Sequence, residues 1–105
     1  MARNKTAIET KIIPFIRTVK RKYRAQIILF GSRARGDFLK SSDYDFVVIS
    51  SSFKGMHPHD RVILILKEWK LPTYVDILAY TPEEFKEKAA MLTTVKVIKE
   101  EGIIL

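Results

Sequence analysis

The feature that most constrains this chain is a five-residue run, Gln26-Ile27-Ile28-Leu29-Phe30, cut off by Gly31-Ser32. The run is apolar without alternation and rich in β-formers, so it reads as a central strand buried on both faces. Gly31-Ser32 ends it abruptly. Ser32 is a good N-cap for a short helix or turn through Arg33-Ala34-Arg35, and Gly36 is placed to close that turn.

The remaining segments supply what a buried strand needs for company. Ile8, Ile12, Phe15, Ile16, Val19 and Tyr23 recur at helical spacing, with Pro14 marking either the start of a regular helix or a kink. Tyr44 to Ile49 reads as a second strand, Asp60 to Trp69 as a helix, and Tyr74 to Tyr80 as a third strand. Thr81-Pro82-Glu83-Glu84 is a helix start: Thr81 caps, Pro82 suits the first position, and Glu84 completes a capping box. The apolar pattern then continues through Phe85, Ala89, Leu92, Val95 and Ile98, with Thr93-Thr94 as a break into two helices. Gly102 stops it, and Ile103-Ile104-Leu105 has the length of an edge strand. The order α-β-α-β-α-β-α predicts an α/β (α+β) fold, a small mixed β-sheet packed with helices. With no linker, repeat or low-complexity tract, residues 1–105 read as one domain.

Composition removes several chemistries. The chain has no cysteine, which excludes disulfides, thiolate zinc and a cysteine nucleophile, and fits a cytoplasmic setting. Met1 to Lys11 are charged throughout, unlike a signal peptide, and no apolar run approaches membrane-spanning length. Nineteen basic against twelve acidic residues give a net charge of +7. That balance suits an NTP, RNA or an acidic protein surface, and equally a solvated surface kept soluble by charge.

Three groups carry chemistry. Gly31-Ser32, between a buried strand and a helix start, directs N–H groups and a hydroxyl at one spot, which makes a phosphate cradle. Arg33 and Arg35 add candidate charge-assisted bonds to phosphate. In Asp43-Tyr44-Asp45, strand alternation puts the two carboxylates on one face and Tyr44 and Phe46 on the other. Paired carboxylates repel unless a cation lies between them or one is protonated, and hard oxygen ligands suit Mg²⁺. Asp76 sits between Val75 and Ile77 in an otherwise apolar strand, on the face of Tyr74 and Leu78. A carboxylate there needs a pair, a metal or solvent. Each group also has an ordinary reading: a turn, an acidic strand cap, a salt bridge from Asp76 to Arg35 or a lysine. Together they make a three-carboxylate site beside a phosphate pocket, suited to two metal ions about 3.5–4 Å apart that clamp an in-line displacement.

Weaker signals have structural readings. His57-Pro58-His59 reads as loop, Trp69 as core packing, and Arg35-Gly36-Asp37 as a chance tripeptide. Lys20-Arg21-Lys22 with Arg24 favours a helix C-terminus over an RNA contact.

The string Phe30-Gly31-Ser32-Arg33-Ala34-Arg35-Gly36, followed by Ser42-Asp43-Tyr44-Asp45-Phe46-Val47-Val48, resembles the signature of the DNA polymerase β-like nucleotidyltransferase superfamily. Within it, the chain is similar to the minimal nucleotidyltransferase (MNT) branch, which includes the MntA-type antitoxins. The resemblance covers the first strand through Asp76. It implies that Gly31 and Ser32 hold the triphosphate of ATP, that Asp43 and Asp45 ligate two Mg²⁺ ions, and that Asp76 ligates the catalytic ion and helps deprotonate the acceptor. It further implies transfer of AMP to a tyrosine of a HEPN-type toxin partner, in a hetero-complex or oligomer. Two alternatives stay open: a binding module that neutralises its partner by contact, and an adenylyltransferase acting on a small molecule such as an antibiotic.

Overall fold

The computed structural model of the chain describes residues 10–36, 43–91 and 94–105. Expectations resting on Ile8, Asp37, Ser42, Leu92 and Thr93 lie outside these residues. Helix α1 spans Ile13–Tyr23, entered by a 3₁₀ turn at Thr10–Ile12. Pro14 sits in its first turn, where the missing N–H has no helical partner to lose, so the helix starts there rather than kinking. Phe15, Ile16 and Val19 form its buried stripe.

Strand β1 is Gln26–Phe30, as expected, and the one-turn helix α2 is Ser32–Arg35. The cap position belongs to Gly31 rather than to Ser32, with φ 74° and ψ −158°, a region that is essentially glycine's alone. Ser32 is therefore the first helical residue and makes no capping bond. Gly36 closes the turn at φ 86°, its N–H donating to the Ser32 carbonyl.

Strand β2 is Tyr44–Ile49 and helix α3 is Pro58–Leu66. The helix begins two residues before the expected Asp60 and ends before Trp69. The early start has its reason in His57, whose Nδ1 accepts the His59 N–H at 3.1 Å and caps the helix, with Pro58 at its first position. Strand β3 is Val75–Tyr80. Helix α4, Pro82–Ala89, carries the complete Thr81/Glu84 capping box, and α5 is Thr94–Glu101. Gly102 packs against Ile28 and leads into β4, Ile103–Ile104.

The sheet order is β3-β2-β1-β4. Strand β1 runs antiparallel to β2 and β4, while β2 and β3 are parallel and joined through α3, so the sheet is mixed. Alternation sorts its side chains into two cores. Ile27, Leu29, Tyr44, Phe46, Val48, Ile77 and Ala79 pack on one face with Phe15, Ile16 and Val19 of α1 and Ile65 of α3. Ile28, Val47 and Ile49 pack on the other with Ile98 of α5 and Phe85 of α4. Trp69 belongs to the first core, its ring edge-on to Phe15 at 5.0 Å.

One polar tie crosses the β3 edge. Arg61 of α3 is buried and donates to the Ala79 carbonyl at 3.2 Å and to both Glu84 carboxylate oxygens, at 2.5 and 3.2 Å. A buried guanidinium is tolerable only when its donors are satisfied in this way. Among the described residues, no helix is long and apolar enough to cross a membrane.

Candidate active site

The site is a row across three strands. Asp45 on β2 lies opposite Phe30 on β1 and opposite Asp76 on β3. Neighbours in register on adjacent strands share a face, so the Asp45 and Asp76 carboxyls stand side by side. Their face is the one opposite Tyr44 and Phe46, which are sunk in the α1/α3 core. Asp45 is half-buried and Asp76 is exposed.

Gly31 follows Phe30 and completes the row. A Cβ built on Gly31 would run into the Asp45 carboxyl, whose carbon lies 3.2 Å away. Glycine is thus required twice, for its positive φ and for the room it leaves Asp45. Strand pairing, invisible in the motif spacing, is what presses the Gly31-Ser32 turn against this carboxylate. The Ala34 and Arg35 N–H groups both turn back to the Gly31 carbonyl at 3.1 Å. The N–H groups of Ser32 and Arg33 have no place in that helical bonding, since first-turn donors never do.

Asp43 lies just outside the row. Strand β2 begins at Tyr44, so strand alternation does not fix the direction of Asp43, which is exposed ahead of the strand. Its charge is still felt by Asp45. The two arginines separate. Arg35 is exposed, and its charge acts on Asp45. Arg33 is only 6 % exposed, with its guanidinium 4.1 Å from the Tyr44 ring centroid, and so belongs to the core beneath the opposite face.

Electrostatics mark the row as strained. Partial burial pushes the Asp45 carboxyl up to about 6, helped by the Asp76 charge, a hydrogen bond with Asp76 and the charge of Asp43, while Arg35 pulls it down. Two carboxyls this close share a proton near neutrality unless a cation replaces it. Among the described residues, no three His, Cys, Asp or Glu side chains are arranged to hold a metal ion as they stand. The row presents two carboxyls together and the third nearby. The donor set itself fits a hard divalent cation: hard oxygens, like charges in need of compensation, and a proton to give up.

Tyr74 is the residue whose importance the sequence left unstated. It is 82 % exposed, and its carbonyl accepts the Tyr44 N–H at 3.1 Å, which extends the β2–β3 ladder one residue beyond Asp76's neighbour Val75. The expected strand from Tyr74 is one residue too long, since β3 begins at Val75 and leaves Tyr74 just ahead of it.

The profile of the nucleotidyltransferase domain family matches residues 12–105, which include every one of these residues. The chain belongs to the nucleotidyltransferase domain family. A protein of Methanocaldococcus jannaschii assigned as a protein adenylyltransferase is 46 % identical over 44 residues, which cover 39 % of this chain and 44 % of that protein. The match to this relative therefore spans less than half of its length. The crystal structure of an assigned nucleotidyltransferase from Sulfolobus solfataricus superposes with a TM-score of 0.62. It covers 99 % of this chain and 89 % of its own at 24 % identity, a likeness of fold. The mixed sheet with helices is thus the nucleotidyltransferase arrangement.

Proposed function

We propose that this chain transfers a nucleoside monophosphate, AMP from ATP, onto an acceptor hydroxyl at the Gly31–Asp45–Asp76 row. The observation that carries this reading is the lateral order of the row: the Gly31-Ser32 turn at a helix start, a half-buried carboxyl and an exposed carboxyl on successive strands. The family and the protein-adenylyltransferase relative support it.

In this reading the Ser32 and Arg33 N–H groups, the Ser32 hydroxyl and Arg35 hold the β- and γ-phosphates. Asp43, Asp45 and Asp76 would hold two Mg²⁺ ions, which when bound neutralise phosphate charge and acidify the acceptor hydroxyl. The acceptor oxygen forms a bond to the α-phosphorus, the bond from the α-phosphorus to the bridging oxygen breaks, and pyrophosphate departs on the Gly31 side. Asp76 takes the hydroxyl proton. Arg33 serves the phosphates through its backbone, while its guanidinium braces α2 against Tyr44.

The acceptor proposed is a tyrosyl residue of a HEPN-type partner protein, modified in the cytoplasm as an antitoxin modifies its toxin. The resemblance to the MNT branch supports the partner, and the relative's name supports a protein acceptor. RNA is not the favoured acceptor. Binding without chemistry is the second reading, favoured because no three His, Cys, Asp or Glu side chains among the described residues are arranged to hold a metal ion as they stand.

The test is incubation with Mg²⁺ and ATP labelled at the α-phosphate, together with a host lysate, beside an Asp43→Asn/Asp45→Asn variant. Label on one small protein, absent with the variant, is the expected result. A protein that binds MgATP yet labels nothing would overturn transfer in favour of the binding-only reading.

A further inference from the structure

The row has a direction, and the direction assigns a role to Tyr74. In an in-line displacement the attacking and leaving oxygens lie on opposite sides of the phosphorus. The phosphate turn lies at the end of β1, Asp45 on β2 and Asp76 on β3. Adjacent strands are about 4.8 Å apart, so the row spans about 10 Å from turn to Asp76. With pyrophosphate leaving over β1, the acceptor must approach over β3. This strand is an edge of the sheet.

What an acceptor meets on arriving over β3 is Tyr74. Among the described residues it is the most exposed of the large apolar and aromatic side chains, at 82 %. It sits two residues before Asp76, just ahead of β3, and its backbone is held by the ladder bond from Tyr44. Of the other aromatic rings near the row, Tyr44, Phe46 and Trp69 are locked in the opposite core, while Phe30, in register with Asp45, is packed against the core of Ile28, Val47 and Ile98. A ring this exposed gains nothing for the fold. On a backbone pinned two residues from Asp76 it is available as a platform.

We propose that Tyr74 is a specificity-determining contact for the acceptor, stacking on the group that bears the reacting hydroxyl and leaving the nucleotide untouched. The proposal rests on the transferase reading for the identity of the site. It adds which side of the site the acceptor occupies and which residue selects it.

Binding of N-acetyltyrosinamide, a small stand-in for a tyrosyl acceptor, tests it without requiring turnover. The protein is saturated with Mg²⁺ and α,β-methylene ATP, and the probe is titrated by NMR for wild type, Tyr74→Ala and Tyr74→Phe. The expected result is probe affinity lowered about fivefold in Tyr74→Ala, the size of a lost aromatic pair, and kept in Tyr74→Phe, with nucleotide affinity equal in all three. Equal probe affinity in all three, absence of probe binding to wild type, or a loss of nucleotide affinity in Tyr74→Ala would each overturn it. Labelling from α-labelled ATP, run separately, reports on the transferase reading. Nucleotide binding without labelling refutes that reading and leaves the Tyr74 titration to be judged by its own result.

Discussion

Asp45 and Asp76, separated by thirty positions of chain, are direct cross-strand neighbours on one face of the sheet, and Asp45 is held up to about 6 largely by burial and by that neighbour. A carboxyl whose pKa rises on folding makes the folded chain hold its proton longer than the unfolded one. Stability is therefore lost as pH climbs from 3.8 through about 6, the window set by the two values. Asp45 is only partly buried, so solvent screening leaves a penalty of about 1 kcal/mol at neutral pH. Asp45→Asn should remove it. The variant is expected to be more stable than its parent by about that amount at pH 7, with the advantage nearly gone at about pH 3, where both states of the parent are mostly protonated. Urea midpoints at the two pH values check this. Adding MgATP should stabilise the parent alone, by mass action.

Gly31→Ala is expected to destabilise the fold by about 1–3 kcal/mol and to abolish label transfer, because alanine is strained at φ 74° and its methyl meets the Asp45 carboxyl. Part of that cost is steric and should be relieved by Asp45→Ala. The two changes together are predicted to be less harmful than their sum, by about 0.5 kcal/mol or more in a double-mutant cycle of thermal unfolding.

Arg35 and Arg33 should separate experimentally. Arg35→Ala is expected to lower transfer about tenfold or more, through loss of a phosphate contact, with little change in melting temperature. Arg33→Lys should instead lower stability by about 1–2 kcal/mol, since an ammonium cannot stack on Tyr44 as a planar guanidinium does. Calorimetry beside the labelling assay distinguishes the two. A parallel loss of both properties in both variants would contradict the placement of Arg33.

Away from the site, the bond from Arg61 and the backbone bond at Thr81 hold the Glu84 carboxyl down to about 2. A lowered carboxylate contributes stability that is present above the ordinary value of 4.5 and lost as pH falls toward 2. Glu84 is 40 % exposed while Arg61 is 4 % exposed, so screening limits the contribution to about 1 kcal/mol. Glu84→Gln should lower the urea midpoint at pH 7, with a narrower gap at pH 3. Glu84→Ala should cost more, since it leaves Arg61 buried without its partner.

Elements of this fold were legible where one local rule governs them. The β1 run, the Thr81/Glu84 capping box, the break between α4 and α5 and the short final strand each follow from composition over a few residues. The start of α3 is not legible in the sequence because His57 caps through a ring nitrogen, a role less common than that of Ser or Asp. Ser32 lost the cap position because Gly31 alone tolerates the backbone angles there.

By itself, the sequence determined the motif, the strand and helix order, and the presence of three carboxylates that must face a cation, a proton or solvent. Local pattern suffices for these, because periodicity and turn chemistry act over a few residues. Only the tertiary structure decided which of these groups meet. Register across β1, β2 and β3 brings Gly31, Asp45 and Asp76 into one row, leaves Asp43 ahead of its strand, and sends the Arg33 and Arg35 side chains to different environments. Register is a long-range property: it depends on two buried faces satisfying their packing at once, and no window of the sequence contains both.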